Sequence, residues 1–175
     1  MKLTFLFLAP LFLIGCGTTQ TYDGPKRPSS ELATIEAVRY VKMGMPSRME
    51  LLLITECNGK TIGTEFKGYP KTIDVLPGQT RIKLFYRHNL DKSLWEVANS
   101  TGVITYDATD GQSDIDLGKI TFCTQAGHDY KLMFHPALLT GKLCPPALWV
   151  VDLKTKKIIY GSVPQEIKDP ANIQL

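Results

Sequence analysis

The sequence predicts an all-β protein, an antiparallel β-sandwich, on three observations. From residue 31 onward, apolar and polar side chains alternate with a period of two. Pro and Gly punctuate the chain throughout, and no stretch of twelve residues carries the 3.6-residue period of an amphipathic helix. The chain has 175 residues, 43% apolar and 21% charged, which suits one domain with a packed core rather than a disordered or polytopic membrane chain. Its formal charge of +3 is small and evenly spread, so a nucleic-acid partner is not expected.

Each element has its own justification. Residues 34–43 alternate Ile35, Ala37, Arg39 and Val41 against Glu36, Val38, Tyr40 and Lys42. Residues 50–57 (ELLLITEC) are apolar on both faces for four positions, as in a central strand. Residues 72–76 and 80–87 flank Pro77-Gly78-Gln79, which implies a hairpin. Residues 115–124 and 129–135 flank Gln125-Ala126-Gly127-His128, a second hairpin, and 148–153 and 157–161 flank Lys154-Thr155-Lys156, a third. Ser29-Ser30-Glu31 can cap one helical turn, and 90–97 is ambiguous. The expected organisation is a signal peptide over 1–15, a lipidated cysteine and flexible tether over 16–30, the sandwich over 31–165 and a tail over 166–175.

The first sixteen residues read as an address. Lys2 is basic, and residues 3–14 (LTFLFLAPLFLI) form a twelve-residue run holding ten apolar side chains. Such a run is too short to cross a hydrocarbon core of about 30 Å as a helix, and suits the apolar core of a secretory signal peptide. It ends at Leu13-Ile14-Gly15-Cys16, which resembles the lipobox of bacterial lipoproteins. That resemblance implies a diacylglycerol on the Cys16 thiol, cleavage before Cys16 and acylation of the new amine. At about 0.8 kcal/mol per buried CH₂, two or three acyl chains hold a protein on a bilayer essentially permanently. Gly17 stands where an aspartate tends to retain such proteins in the inner membrane, so the outer membrane is expected. Residues 17–30 (GTTQTYDGPKRPSS) hold one large apolar group, Tyr22, and read as a tether unable to offset its ordering entropy.

A second resemblance covers about forty residues. Asn58-Gly59-Lys60-Thr61-Ile62-Gly63, Tyr69-Pro70, Val75-Leu76-Pro77-Gly78 and the strand 81–86 are similar to PEGA-type and related transthyretin-like β-sandwich modules. The name-giving Pro-Glu-Gly-Ala is missing, and Met45-Pro46-Ser47-Arg48 stands roughly in its place. The resemblance implies fold and location; these modules share no common catalytic activity.

The residues that could carry chemistry do not assemble into a known site. Three thiols remain beside Cys16: Cys57, Cys123 and Cys144. Counting strand directions, with one down-up pair assumed within 89–114, places Cys57 and Cys144 at one end of the sandwich and Cys123 at the other. A Cys57–Cys144 disulfide is then favoured, with three free thiols or another pairing left open. His88, His128 and His135 do not suggest a metal site, because His128 and His135 fall at opposite ends of one strand. Asp107, Asp110 and Asp114 lie near Gly111, but Tyr106, Ala108 and Leu117 fall where an EF-hand needs ligands; a solvated turn is expected, with a non-EF calcium site from the three aspartates left open. Ser162 has the wrong flanks for a nucleophile elbow, and the adjacent His128-Asp129 point apart. Trp95 and Trp149 could line a groove, although a strand tryptophan more often packs in the core. No catalytic residue, cofactor or metal is assigned. The expected protein is an envelope lipoprotein with a non-catalytic binding or assembly role, its partner an unidentified envelope protein. The alternatives are an inhibitor that captures a soluble periplasmic partner, such as a wall-lytic enzyme, and a hydrolase with an unrecognised site.

Overall fold

The computed structural model describes residues 18–42, 48–90, 112–135, 146–165 and 167–171, with the backbone alone at 41–42, 48–49, 88–90 and 112–113. Cys16, Trp95, Asp107, Asp110, Cys144 and the side chain of His88 lie outside the described residues.

Among these residues two sheets pack face to face, an all-β sandwich. The strands are β1 (Thr19–Gln20), β2 (Ala33–Ala37), β3 (Arg39–Lys42), β4 (Arg48–Cys57), β5 (Lys60–Thr61), β6 (Thr72–Val75), β7 (Gly78–Leu90), β8 (Gln112–Thr124), β9 (His128–His135), β10 (Ala147–Asp152) and β11 (Ile158–Gly161). Sheet A runs β1-β6-β2-β9-β10-β11; sheet B runs β3-β4-β7-β8, with β5 on the edge of β4. Most pairs are antiparallel, but β1–β6 and β2–β9 are parallel. The only helical turn among the described residues is a 3₁₀ turn at Ser29–Glu31.

Period-two patterning accounts for the core. Ala33, Ile35 and Ala37 of β2, Leu52 and Ile54 of β4, Ile73 and Val75 of β6, and Ile82 and Leu84 of β7 are fully buried between the sheets. Tyr86, Tyr130, Leu132, Phe134 and Val150 complete the filling, and Tyr86 meets Phe134 edge to face at 5.3 Å between centroids. A bulge falls between Ile54 and Glu56 of β4, so Cys57 returns to the inward side opposite Ile82. A smaller cluster of Met133, Trp149 and Val151 packs on the other face of sheet A. Val163, Ile167 and Ala171 cover it, and the Trp149 indole N–H donates to the Pro170 carbonyl at 2.9 Å. Trp149 is therefore a core residue, and part of the expected tail is a lid over it.

The strands of the expected hairpins exist, but two of the three hairpins do not. Thr72–Val75 lies in sheet A and Gly78–Leu90 in sheet B, so Pro77-Gly78 carries the chain across the sandwich. Residues 125–127 likewise cross from β8 in sheet B to β9 in sheet A. Of the three, β10–β11 alone folds back within one sheet. The expected single strand at 34–43 is likewise two strands in different sheets. Val38 is the crossing point: its N–H donates to Leu132 O at 3.1 Å in sheet A, and its carbonyl accepts from Leu52 N at 3.3 Å in sheet B.

Of the segment expected as a tether, residues 18–22 are docked. β1 adds to the free edge of β6 with Thr19 opposite Ile73. The Thr21 amide and hydroxyl both donate to Asp74 O, at 3.2 and 2.8 Å, and Tyr22 is buried. Backbone pairing along an open sheet edge supplies what the few apolar side chains of this segment cannot.

Candidate functional site

The outward face of sheet B carries a run of charged side chains paired across its strands. Along β7 the outward positions are Arg81, Lys83, Phe85 and Arg87, while Thr80, Ile82, Leu84 and Tyr86 point into the core. Neighbouring strands answer them with carboxylates. Lys119 of β8 reaches Glu56 of β4 at 3.2 Å, and Lys83 reaches Asp116 at 3.6 Å while lying 5.1 Å over the Phe85 ring.

Between the upper ends of these strands lies a basin of about 290 Å³, lined by Glu56, Asn58, Gln79, Arg81, Lys83 and Lys119. Its rim is the two-residue turn Asn58-Gly59 between β4 and β5. Both residues have positive φ, 50° and 84°, as a type I′ hairpin turn requires. The Asn58 side-chain oxygen accepts the Arg81 amide at 2.8 Å, which locks the turn against β7. Two of its three cations are answered by carboxylates, Lys119 by Glu56 and Lys83 by Asp116, and the Arg81 guanidinium makes no ion pair among the described residues. Such a basin attracts an anionic group, a carboxylate or phosphate.

Lower on the same face Arg87 organises a cluster. Its Nε and Nη2 donate to the two Asp114 oxygens at 2.8 and 2.7 Å, and Nη2 also reaches Glu65. The Tyr69 hydroxyl donates to the same Glu65 oxygen at 2.9 Å, and the guanidinium lies 5.5 Å over the Tyr69 ring. Hydrogen bonds from Arg87 and Tyr69 hold the Glu65 carboxyl below its ordinary range. Asp114 is thus committed to an arginine rather than to a cation site, and no group of three metal-ligating side chains occurs among the described residues. The cluster fastens segment 62–70 across the sheet. Gly63 lies so close to β4 that a Cβ there would fall 2.5 Å from Ile54 O.

At the start of β9, just past the crossing from β8, His128 and Asp152 form a pair that sequence reasoning missed. An ionised carboxylate only accepts, so His128 Nδ1–H donates to Asp152 Oδ2, at 2.9 Å. The other Asp152 oxygen accepts the Lys154 and Thr155 amides at 2.9 and 3.2 Å and closes the β10–β11 turn. Burial alone would raise the Asp152 carboxyl; the bonds from His128, Thr155 and Lys154 outweigh it and hold the group low. The pair thus clamps the β10–β11 turn to the start of β9. The Asp-x-x-Thr spacing of an Asx turn at 152–155 was the available sequence signal. Glu50 is also fully buried, on the inward side of β4 opposite Tyr40, and nothing in its apolar strand announces it.

The cysteine geometry corrects the strand-direction count. β4 and β8 both run antiparallel to β7, so Cys57, opposite Ile82, and Cys123, opposite Gln79, lie at the same end of sheet B. The count failed because 72–76 belongs to the other sheet. Their side chains still point apart: Cys57 is buried and Cys123 exposed. Burial pushes the Cys57 thiol up against a lowering hydrogen bond with Thr21. Cys144, its expected partner, lies outside the described residues. His128 and His135 do mark opposite ends of β9. No protein-family model, curated protein or solved structure matches the chain.

Proposed function

We propose that this chain is a lipid-anchored envelope protein with a non-catalytic binding role. It is acylated at Cys16, and it presents the outward face of sheet B to an anionic group on its partner. The basin of Arg81, Lys83 and Lys119 carries the reading: it gathers cations on the outer surface, above a fully packed interior. The Leu13–Cys16 motif supports the anchor, and Gly17 supports an outer-membrane address. The role needs no cofactor or metal. Replacing Cys16 by Ala abolishes incorporation of a palmitate analogue and leaves an unprocessed precursor; label persisting in the variant refutes the anchor. Crosslinking in intact cells, with Arg81→Glu/Lys119→Glu as the comparison, tests the face. Loss of one crosslinked envelope protein in the double variant is expected, and an unchanged pattern refutes the assignment. A soluble periplasmic protein recovered at one-to-one stoichiometry would instead favour an inhibitor or capture module.

A further inference from the structure

Resting on the lipid-anchored reading, we infer that the turn at 64–68, with Phe66 at its tip, is a second membrane contact. It seats the sandwich on the headgroup region of the same bilayer that holds the Cys16 acyl chains.

Phe66 is fully exposed, at 101%, while the other exposed large apolar residues among those described, Leu76 and Ile158, stand at 38% and 42%. The turn that presents it is closed by a bridge between Thr64 and Gly68 and by the Lys67 amide donating to Thr64 Oγ1 at 3.2 Å. Its base is fastened from three directions. Arg87 holds Glu65, Tyr69 donates to Glu65, and Arg39 Nη2 donates to Tyr69 O at 2.6 Å. The fold therefore holds this ring in water on a braced support, against the usual preference of phenylalanine for burial.

The position of the anchor supplies the partner. Thr18 bonds to Asp74, and β1 pairs with β6 from Thr19 opposite Ile73. Cys16 is two residues before Thr18, so chain geometry keeps its Cα within about 7 Å of the Thr18 Cα. Residues 69–71 lead from the Phe66 turn to Thr72, the first residue of β6, and Thr19 pairs with Ile73, so the turn and the start of β1 both approach the same end of β6. With only Gly17 between Cys16 and Thr18, the bilayer surface lies close to this end of β6. The turn carries the matching chemistry: an apolar ring, and beside it Lys67, exposed and without an ion pair among the described residues. A ring at the acyl boundary with an ammonium among anionic headgroups is the arrangement favoured at a membrane interface.

The test uses the acylated full-length protein carrying Phe66→Trp, reconstituted into phosphatidylethanolamine–phosphatidylglycerol vesicles with and without brominated acyl chains. Wild-type protein supplies the background from Trp95 and Trp149. Palmitate-analogue label and vesicle flotation report the anchor separately. The expected result is a labelled, floating protein whose added emission shifts to shorter wavelength and is mostly lost in brominated vesicles. Emission that stays water-like and unquenched in a protein that floats overturns the docking of the turn while leaving the anchor standing. Absence of label and flotation overturns the anchor, and this inference with it. A photocrosslinker at position 66 that captures one protein and no lipid in cells reassigns the turn to a protein partner and also overturns the inference.

Discussion

Replacing Asp152 by Ala separates a structural clamp from a decorative ion pair. The carboxylate is 4% exposed and accepts three hydrogen bonds, from His128 and from the Lys154 and Thr155 amides. Lys154 and Thr155 are themselves exposed, so their amides can turn to water and their loss costs about 1 kcal/mol. The His128 contact lies within the fold, and a charge-assisted bond of that kind contributes about 2 kcal/mol. The sum of about 3 kcal/mol corresponds to a fall in Tm of roughly 10 °C for a domain of this size. Asp152→Asn retains an acceptor for the turn amides and should lose about two-thirds as much. The pH dependence follows from the depressed carboxyl. Because its folded value lies below the ordinary 3.8, its contribution is fully present above about pH 4 and is lost as pH falls through the folded value. Urea unfolding followed by tryptophan emission, at neutral pH and in acid, measures both effects. Variant and wild type with equal midpoints at neutral pH would refute the clamp. A gap that fails to close in acid would refute the role assigned to the charge.

Two further outcomes follow from the same geometry. In native protein Cys123 should react promptly with a maleimide, while Cys57, buried with its thiol pushed up, should react only on unfolding. Peptide mapping without reduction checks this: Cys57 and Cys123 should both appear in free-thiol peptides, and a Cys57–Cys123 peptide would contradict their placement on opposite faces. Arg87→Met removes the forked bond to Asp114 and the tie to Glu65, so trypsin should cut after Lys67 several-fold faster while the sandwich persists by circular dichroism. Unchanged cleavage at Lys67 would show that Arg87 does not brace the turn.

Much of the fold was legible because the two-residue period is a local property. Within a residue or two, the bounds of β6, β9, β10 and β11 follow from alternation and turn residues, and the Asn58-Gly59 turn follows from the only backbone geometry a two-residue hairpin tolerates comfortably. Alternation states which side chains face the interior, and Ile35, Ile82, Leu84 and Leu132 were assignable on that ground. It does not state which sheet they approach that interior from. Both sheets of a sandwich face one core, so a strand carries the same pattern in either, and a Pro-Gly turn can fold back or cross over. That ambiguity hid the crossings at Val38, Pro77-Gly78 and residues 125–127, and it carried the cysteine count to the wrong end.

The side-chain clusters were illegible for a related reason. Arg87 and Asp114 are 27 positions apart, His128 and Asp152 are 24, and Thr18 and Asp74 are 56. Each pairing exists only because strand register brings distant backbone into line. By itself the sequence determined the alternating core, the turn positions and the expectation of a lipid on Cys16, since these depend on side chains adjacent in the chain. The tertiary structure alone decided the sheet each strand joins, the docking of β1 that brings the fold within two residues of Cys16, and the bracing of Phe66 in water, because those depend on hydrogen bonds between segments that the chain order does not place together.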